Sequence, residues 1–180
     1  MSSEAALAAT EDLAMDEDEF WSLLDDVPAL DDDPDLEALT DALAELPERS
    51  AGAFQARLIL ALYALDGPVH RDWLTEHDPD QLGFVSDDVF LSARCATVLL
   101  GRETWQVAVR DEVLPWGDDP EYLGMAESLL YVAEAAATRR GEIESYRETV
   151  DAIPISYEMG SNRSLWTGTA VPLGDLDDDD

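Results

Sequence analysis

A chain of 180 residues that carries 42 Asp and Glu against 10 Arg, with no Lys, has a net charge of −32, and this imbalance constrains its folding more than any other feature. Like charges at this density repel one another within a Debye length of about 10 Å at 0.1 M salt. A compact state therefore needs a strong apolar core and a surface that holds the acids apart. The core material is present, since 46% of the residues are hydrophobic, and this separates the chain from acidic disordered polymers. The length suits a single domain. A charge of this sign excludes electrostatic binding to DNA, RNA or anionic lipid as a primary activity. No direct nucleic-acid partner and no membrane are expected.

The one cysteine, Cys95, excludes an internal disulfide framework and a cysteine-based zinc ribbon. No apolar run approaches the roughly 18 residues that span a bilayer. The first residues turn acidic without a basic segment, so they do not read as a signal peptide, and the expected location is cytoplasmic.

The acids are not evenly spread. Residues 1–48 hold 17 of them and no base, and the last six residues, DLDDDD, add 5 more. Clustering of this kind describes either solvated faces and loose ends or a dedicated interaction face. The candidate face is Asp25, Asp26, Asp31, Asp32 and Asp33.

Helical signals recur along the chain, punctuated by Pro and Gly. Phe20, Trp21, Leu24 and Val27 follow helical spacing behind the acids of 16–19, which complement the positive end of a helix dipole. Asp33-Pro34 reads as an N-cap and first residue for a helix with the stripe Leu36, Leu39, Leu43 and Leu46. Ser50 caps the next, whose stripe is Phe54, Leu58, Leu62 and Leu65 and which Asp66-Gly67-Pro68 ends. A short helix surrounds Trp73. Ser86 opens what reads as one helix from 86 to 113 with Phe90 and Trp105 buried. Residues 122–140 form another helix, with Met125, Leu129, Val132 and Ala136 on one face, and 142–150 a last short one. The expectation is an all-α fold: a flexible lead-in over 1–15, a single helical domain of about five to seven helices over 16–150, and an irregular C-terminal segment with an acidic tail over 151–180.

The segment 86–109, SDDVFLSARCATVLLGRETWQVAV, resembles the core signature of an uncharacterised, mostly bacterial family, domain of unknown function 4240. Ser86, Asp87, Asp88, Phe90, Arg94, Gly101, Arg102 and Trp105 occupy the signature positions in order. The Phe20-Trp21 pair and Glu127 with the following LLYVAEAA agree, so the resemblance covers about 16–140. Ala96 stands where the family often has Trp, Phe84-Val85 where it often has Gly-Cys, and the last forty residues are unlike its ending. The resemblance implies an α-helical fold with no assigned activity, in a family some of whose members belong to proteins labelled as regulators.

Ser86 has the chemistry of an N-cap, with Asp87 and Asp88 on the first turn. Arg94 and Arg102 lie eight residues apart, roughly on one helix face. In so acidic a chain each is expected to pair with a carboxylate from another element, Glu127 first. The polar cluster Asp87, Asp88, Arg94, Arg102 and Glu127 is then either an arginine–carboxylate scaffold or a pocket for a small polar or anionic ligand or a partner.

Other chemistry is missing from the pattern. GSNRS at 160–164 lacks the Lys of a phosphate-binding loop. His70 and His77 are seven apart, outside zinc spacing, and read as surface or loop histidines. Cys95 reads as a small buried hydrophobe. Asp31 to Asp35 lacks the spaced ligands, Gly and terminal Glu of an EF-hand. No cofactor, metal site or catalytic residue is expected. The function expected is a non-enzymatic, cytoplasmic, regulatory protein–protein contact. The alternative is a nucleic-acid mimic or immunity-type inhibitor that masks a basic protein surface, and a third reading is an enzyme built on the Arg94/Arg102 helix.

Self-repulsion gives a first test. Thermal melts from low to molar salt are expected to show a rising midpoint, by about 2–4 °C for each kcal/mol recovered in a chain of this size. A flat or falling midpoint removes the repulsion argument.

Overall fold

A computed structural model describes residues 1–25, 27, 36–77, 85–115 and 124–167, together with the backbone of 29–30 and 33–34. The fold is all-α, with nine α-helices among the described residues where five to seven were expected. In chain order they are α1 (Ser3–Glu11), α2 (Glu17–Asp25), α3 (Leu36–Glu45), α4 (Ser50–Ala64), α5 (Pro68–Glu76), α6 (Asp87–Leu99), α7 (Arg102–Asp111), α8 (Val132–Arg140) and α9 (Ile143–Asp151). A 3-10 turn over Glu127–Tyr131 leads into α8.

Helix α4 is the axis. Its sequence, SAGAFQARLILALYA, contains no acid, and Phe54, Leu58 and Leu62, with Leu65 just past its end, are fully buried. Helices α1, α2, α3, α6, α8 and α9 all pack against it. Each of these large apolar side chains contributes roughly 1.5–3 kcal/mol by leaving water. Gly52 lets α9 approach, because a Cβ there would lie 2.8 Å from Cβ of Thr149. The cap of α4 differs from expectation. Ser50 is its first residue, and Arg49 stands before it in the left-handed region at φ 73°.

Among the described residues most acids sit outside this apolar frame, and arginines tie several of them to it. Asp16 caps α2 by accepting from the amides of Asp18 and Glu19 at 3.0 and 3.2 Å. Behind the cap, Phe20, Trp21 and Leu24 are buried, as their spacing predicts. Leu39 and Leu43 of α3 are buried, with Leu36 and Leu46 packed at the edge. Across from α3, Arg139 of α8 pairs with Glu37 at 2.6 Å and with Asp41.

Four local expectations are corrected. Residues 1–15, read as a flexible lead-in, contain helix α1, capped by Ser2 and held to α4. The Met15 amide donates to the Ala53 carbonyl at 2.9 Å, Arg57 Nε donates to the Met15 carbonyl at 2.8 Å, and Met15 itself is buried. Asp33-Pro34 does not start a helix; it pairs antiparallel with Ala29–Leu30 in a two-residue ladder, and α3 begins at Leu36. Within 122–140, where one helix was read, the described residues pass through a 3-10 turn before α8.

The fourth correction concerns the stretch 86–113, which is two helices. α6 ends at Leu99 and α7 starts at Arg102, with Gly101 between them at φ 94° and ψ 173°. This conformation is essentially reserved for glycine, so the direction change is encoded by one residue. Phe90 is fully buried, whereas Trp105, beyond the break, is half-buried with its indole N–H donated to the Ala61 carbonyl at 3.0 Å. Replacing Gly101 with Ala is expected to cost about 1–3 kcal/mol in urea unfolding, because the strained backbone must carry a Cβ. The same Cβ would also lie 3.4 Å from the Asp25 carboxylate.

Candidate functional site

The candidate polar cluster does not assemble as one site. The Ser86 hydroxyl accepts from the Val89 amide at 3.3 Å, and Asp87 and Asp88 are exposed on the first turn of α6, where they favour the free amides. Glu127 accepts from the Ser92 hydroxyl at 3.3 Å, not from an arginine. Arg102 does pair with carboxylates of another element, Glu17 at 3.0 Å and Asp18 at 2.6 Å on α2. These are surface pairs, which hydrogen bonds to Asp18 and Glu17 strengthen and which contribute little to stability once solvent screening is counted.

Arg94 is the exception to every surface rule in this chain. It is fully buried, its guanidinium carbon lies 4.5 Å from the centre of the Phe90 ring, and Nη1 donates to the Leu62 carbonyl at 3.3 Å. Nε and Nη2 have no hydrogen-bond partner among the described residues. The expected ion pair with Glu127 is therefore absent: Glu127 is engaged by Ser92, and Arg94 points into the core between α4 and α6. Burial draws its pKa below the ordinary arginine value, opposed first by the charge of Asp66. A guanidinium remains protonated in any case, so a positive charge stands in the interior.

Asp66 is the second buried charge, and it was read in the sequence only as part of a helix stop. Its carboxylate is fully buried and accepts three hydrogen bonds from the C-terminal segment: the Gly160 amide at 3.0 Å, the Asn162 amide at 2.8 Å and the Trp166 indole at 3.1 Å. Asn162 Nδ2 returns to the Tyr63 carbonyl at 2.9 Å. Residues 152–167 have no helix, as expected of an irregular segment, yet they are stitched to the end of α4.

Nearby, His70 is buried, not the surface or loop histidine its spacing suggested. Its Nε2 lies 3.1 Å from the Ala108 carbonyl, which only accepts, so Nε2 carries the proton and Nδ1 is an acceptor with no partner among the described residues. Burial lowers its pKa, against the smaller opposing effect of the Ala108 hydrogen bond. His77 is exposed and stacks on Trp73 with ring centres 4.0 Å apart. Cys95 is buried, as read, and burial pushes its thiol up to about 12, which suppresses nucleophilic character at neutral pH.

Of the candidate acidic face, Asp25 is exposed at the end of α2 beside the α6–α7 joint. Asp26, Asp31, Asp32 and the Asp33 side chain lie outside the described residues. Among the described residues no group of three or more His, Cys, Asp or Glu could hold a metal ion. Nor is any helix there long and apolar enough to cross a membrane.

Two measurements probe the buried titratable groups. Asp66→Asn places an amide among three N–H donors, and is expected to cost about 1–3 kcal/mol and to speed proteolysis within 152–167. His70 supplies a pH signature. Its folded pKa is depressed, so the unfolded chain takes up the proton first. The stability it contributes is present above its unfolded value of about 6.5 and is lost as pH falls toward the folded value. His70→Gln is expected to flatten that part of the stability profile; an unchanged slope would show that other groups cause it.

No curated protein and no solved structure is matched by this chain. A family model described as "Protein of unknown function (DUF4240)" matches residues 15–139. That match runs from the end of the α1 segment to the last turn of α8 and includes Arg94, Arg102, Asp66 and the whole of α4. The chain belongs to the DUF4240 family.

Proposed function

We propose that this chain is a non-enzymatic, cytoplasmic, regulatory domain that acts by contact with another protein, and that its partner presents a basic surface. The carrying observation is the placement of the N-terminal acids. Asp12, Asp16, Glu19, Asp25, Glu45 and Glu48 are all exposed and have no arginine partner among the described residues. Among the described residues the arginines that pair with acids of this region, Arg57, Arg102 and Arg139, take Glu11, Glu17, Asp18, Glu37 and Asp41. Glu19, Asp25 and Glu45 stand on α2 and α3, and Asp12 and Asp16 at the helix ends beside them, on elements that are docked on α4, so their field is fixed in direction. A field of this kind raises association rates with an oppositely charged partner by roughly 10- to 1,000-fold at low salt.

The test is a comparison of the wild type with a variant carrying Asp12→Asn, Glu19→Gln, Asp25→Asn and Glu45→Gln. Proteins captured from lysate at low salt are expected to be retained by the wild type, released at high salt, and bound at least about tenfold more slowly by the variant. Identical capture by both overturns the reading. Displacement of the captured protein by DNA or RNA would make the chain a mimic of nucleic acid.

A further inference from the structure

Between α1, α2, α4 and α7 an open cavity of about 190 Å³ is left over a part of α4 that no other described helix covers. Leu60 and Ala64 form its floor, both half-buried, and Trp21 and Trp105 form its walls, with ring centres 5.4 Å apart and planes at 45°. Glu11 and Glu17 stand at its edge. Sites for drug-sized ligands measure roughly 300–1,000 Å³, so this one is on the scale of a single long side chain.

The charge of its surroundings selects the kind of side chain. Residues 11–19 carry Glu11, Asp12, Asp16, Glu17, Asp18 and Glu19 and no base. The two guanidinium groups that approach are already engaged. Arg57, which also lines the cavity, donates to both oxygens of Glu11 at 2.9 and 2.7 Å and to the Met15 carbonyl. Arg102 takes Asp18 and one oxygen of Glu17, leaving the other Glu17 oxygen with no partner among the described residues. Negative charge is in surplus where the half-buried Trp105, packed on the buried Trp21, meets an apolar floor.

We propose that this cavity receives an arginine side chain from the basic partner protein, so it deepens and rests on the contact reading above. A planar guanidinium stacks on Trp and uses the free carboxylate oxygen, and its methylene stem covers Leu60 and Ala64. A lysine head offers a point charge with no plane to stack.

The experiment titrates the full chain calorimetrically with the blocked tripeptide Gly-Arg-Gly and its lysine, citrulline and norleucine counterparts. The arginine peptide is expected to bind saturably at roughly millimolar affinity, as befits one side chain. Lysine is expected to bind more weakly, and citrulline and norleucine at least about tenfold more weakly. Ala64→Met fills the cavity and leaves every acid in place; it is expected to abolish arginine binding while the melting temperature is kept. Leu60→Phe serves the same purpose if Ala64→Met does not fold. Equal affinity for arginine and citrulline, a titration that never saturates, or unchanged binding in the folded filled variant overturns the cavity proposal. The four-acid variant discriminates the two readings, since Asp12, Glu19, Asp25 and Glu45 do not line the cavity. Loss of arginine binding in the filled variant with partner capture retained overturns the cavity alone. Arginine binding that persists while capture is indifferent to the four acids overturns the contact reading alone.

Discussion

Everything in this fold depends on the burial of one acid-free helix. From Ser50 to Ala64 the chain has no carboxylate to desolvate, so α4 can be enclosed by neighbours on nearly every side while the acids of those neighbours turn outward. The arrangement resolves the conflict posed by a net charge of −32. Attraction between helices is concentrated at an apolar axis, and repulsion is spread over the periphery, where water and salt screen it. Arginines then work at the seams: Arg57 joins α4 to α1, Arg102 joins α7 to α2, and Arg139 joins α8 to α3.

Against this division, the interior holds one cation and one anion among the described residues. Arg94 and Asp66 are both fully buried on the side of α4 that faces α6 and the C-terminal segment. Removing such ions from water costs several kcal/mol each, and attraction returns part of it. Asp66 is compensated further by three N–H donors. Arg94 is not, because among the described residues one carbonyl accepts from its guanidinium, which otherwise lies over the face of Phe90. An incompletely satisfied charge in the core favours one arrangement of its neighbours over others, since few placements leave it even this well accommodated.

The apolar skeleton was legible in the sequence because helical spacing reports one face directly. Phe20, Leu24, Leu39, Leu43, Phe54, Leu58, Leu62 and Leu65 are where their periodicity puts them, and Ser86 caps the helix that it precedes. The polar partners were not legible. Arg94 and Asp66 look like any other charged residues, since burial of a charge depends on elements 30 to 100 positions away. Gly101 lies inside the stretch 86–113 that reads as one helix, because the apolar pattern continues through it, and only its positive φ reveals the turn. His70 misled for the same reason as Arg94: its acceptor is a backbone carbonyl on α7, 38 residues later, and carbonyls have no letter in a sequence.

The hold of Asp66 on Trp166 spans 100 residues of chain. A ribosome therefore releases Asp66, and most of the helices that surround it, well before the groups that will cover it exist. Through that interval the end of α4 must remain hydrated, and the nascent domain is a helical bundle with one polar flank open. Closing so long a loop adds little entropy cost beyond that of a shorter one, but it places this contact among the last to form. The C-terminal segment thus acts in time as well as in space, as the step after which the interior charges no longer meet solvent.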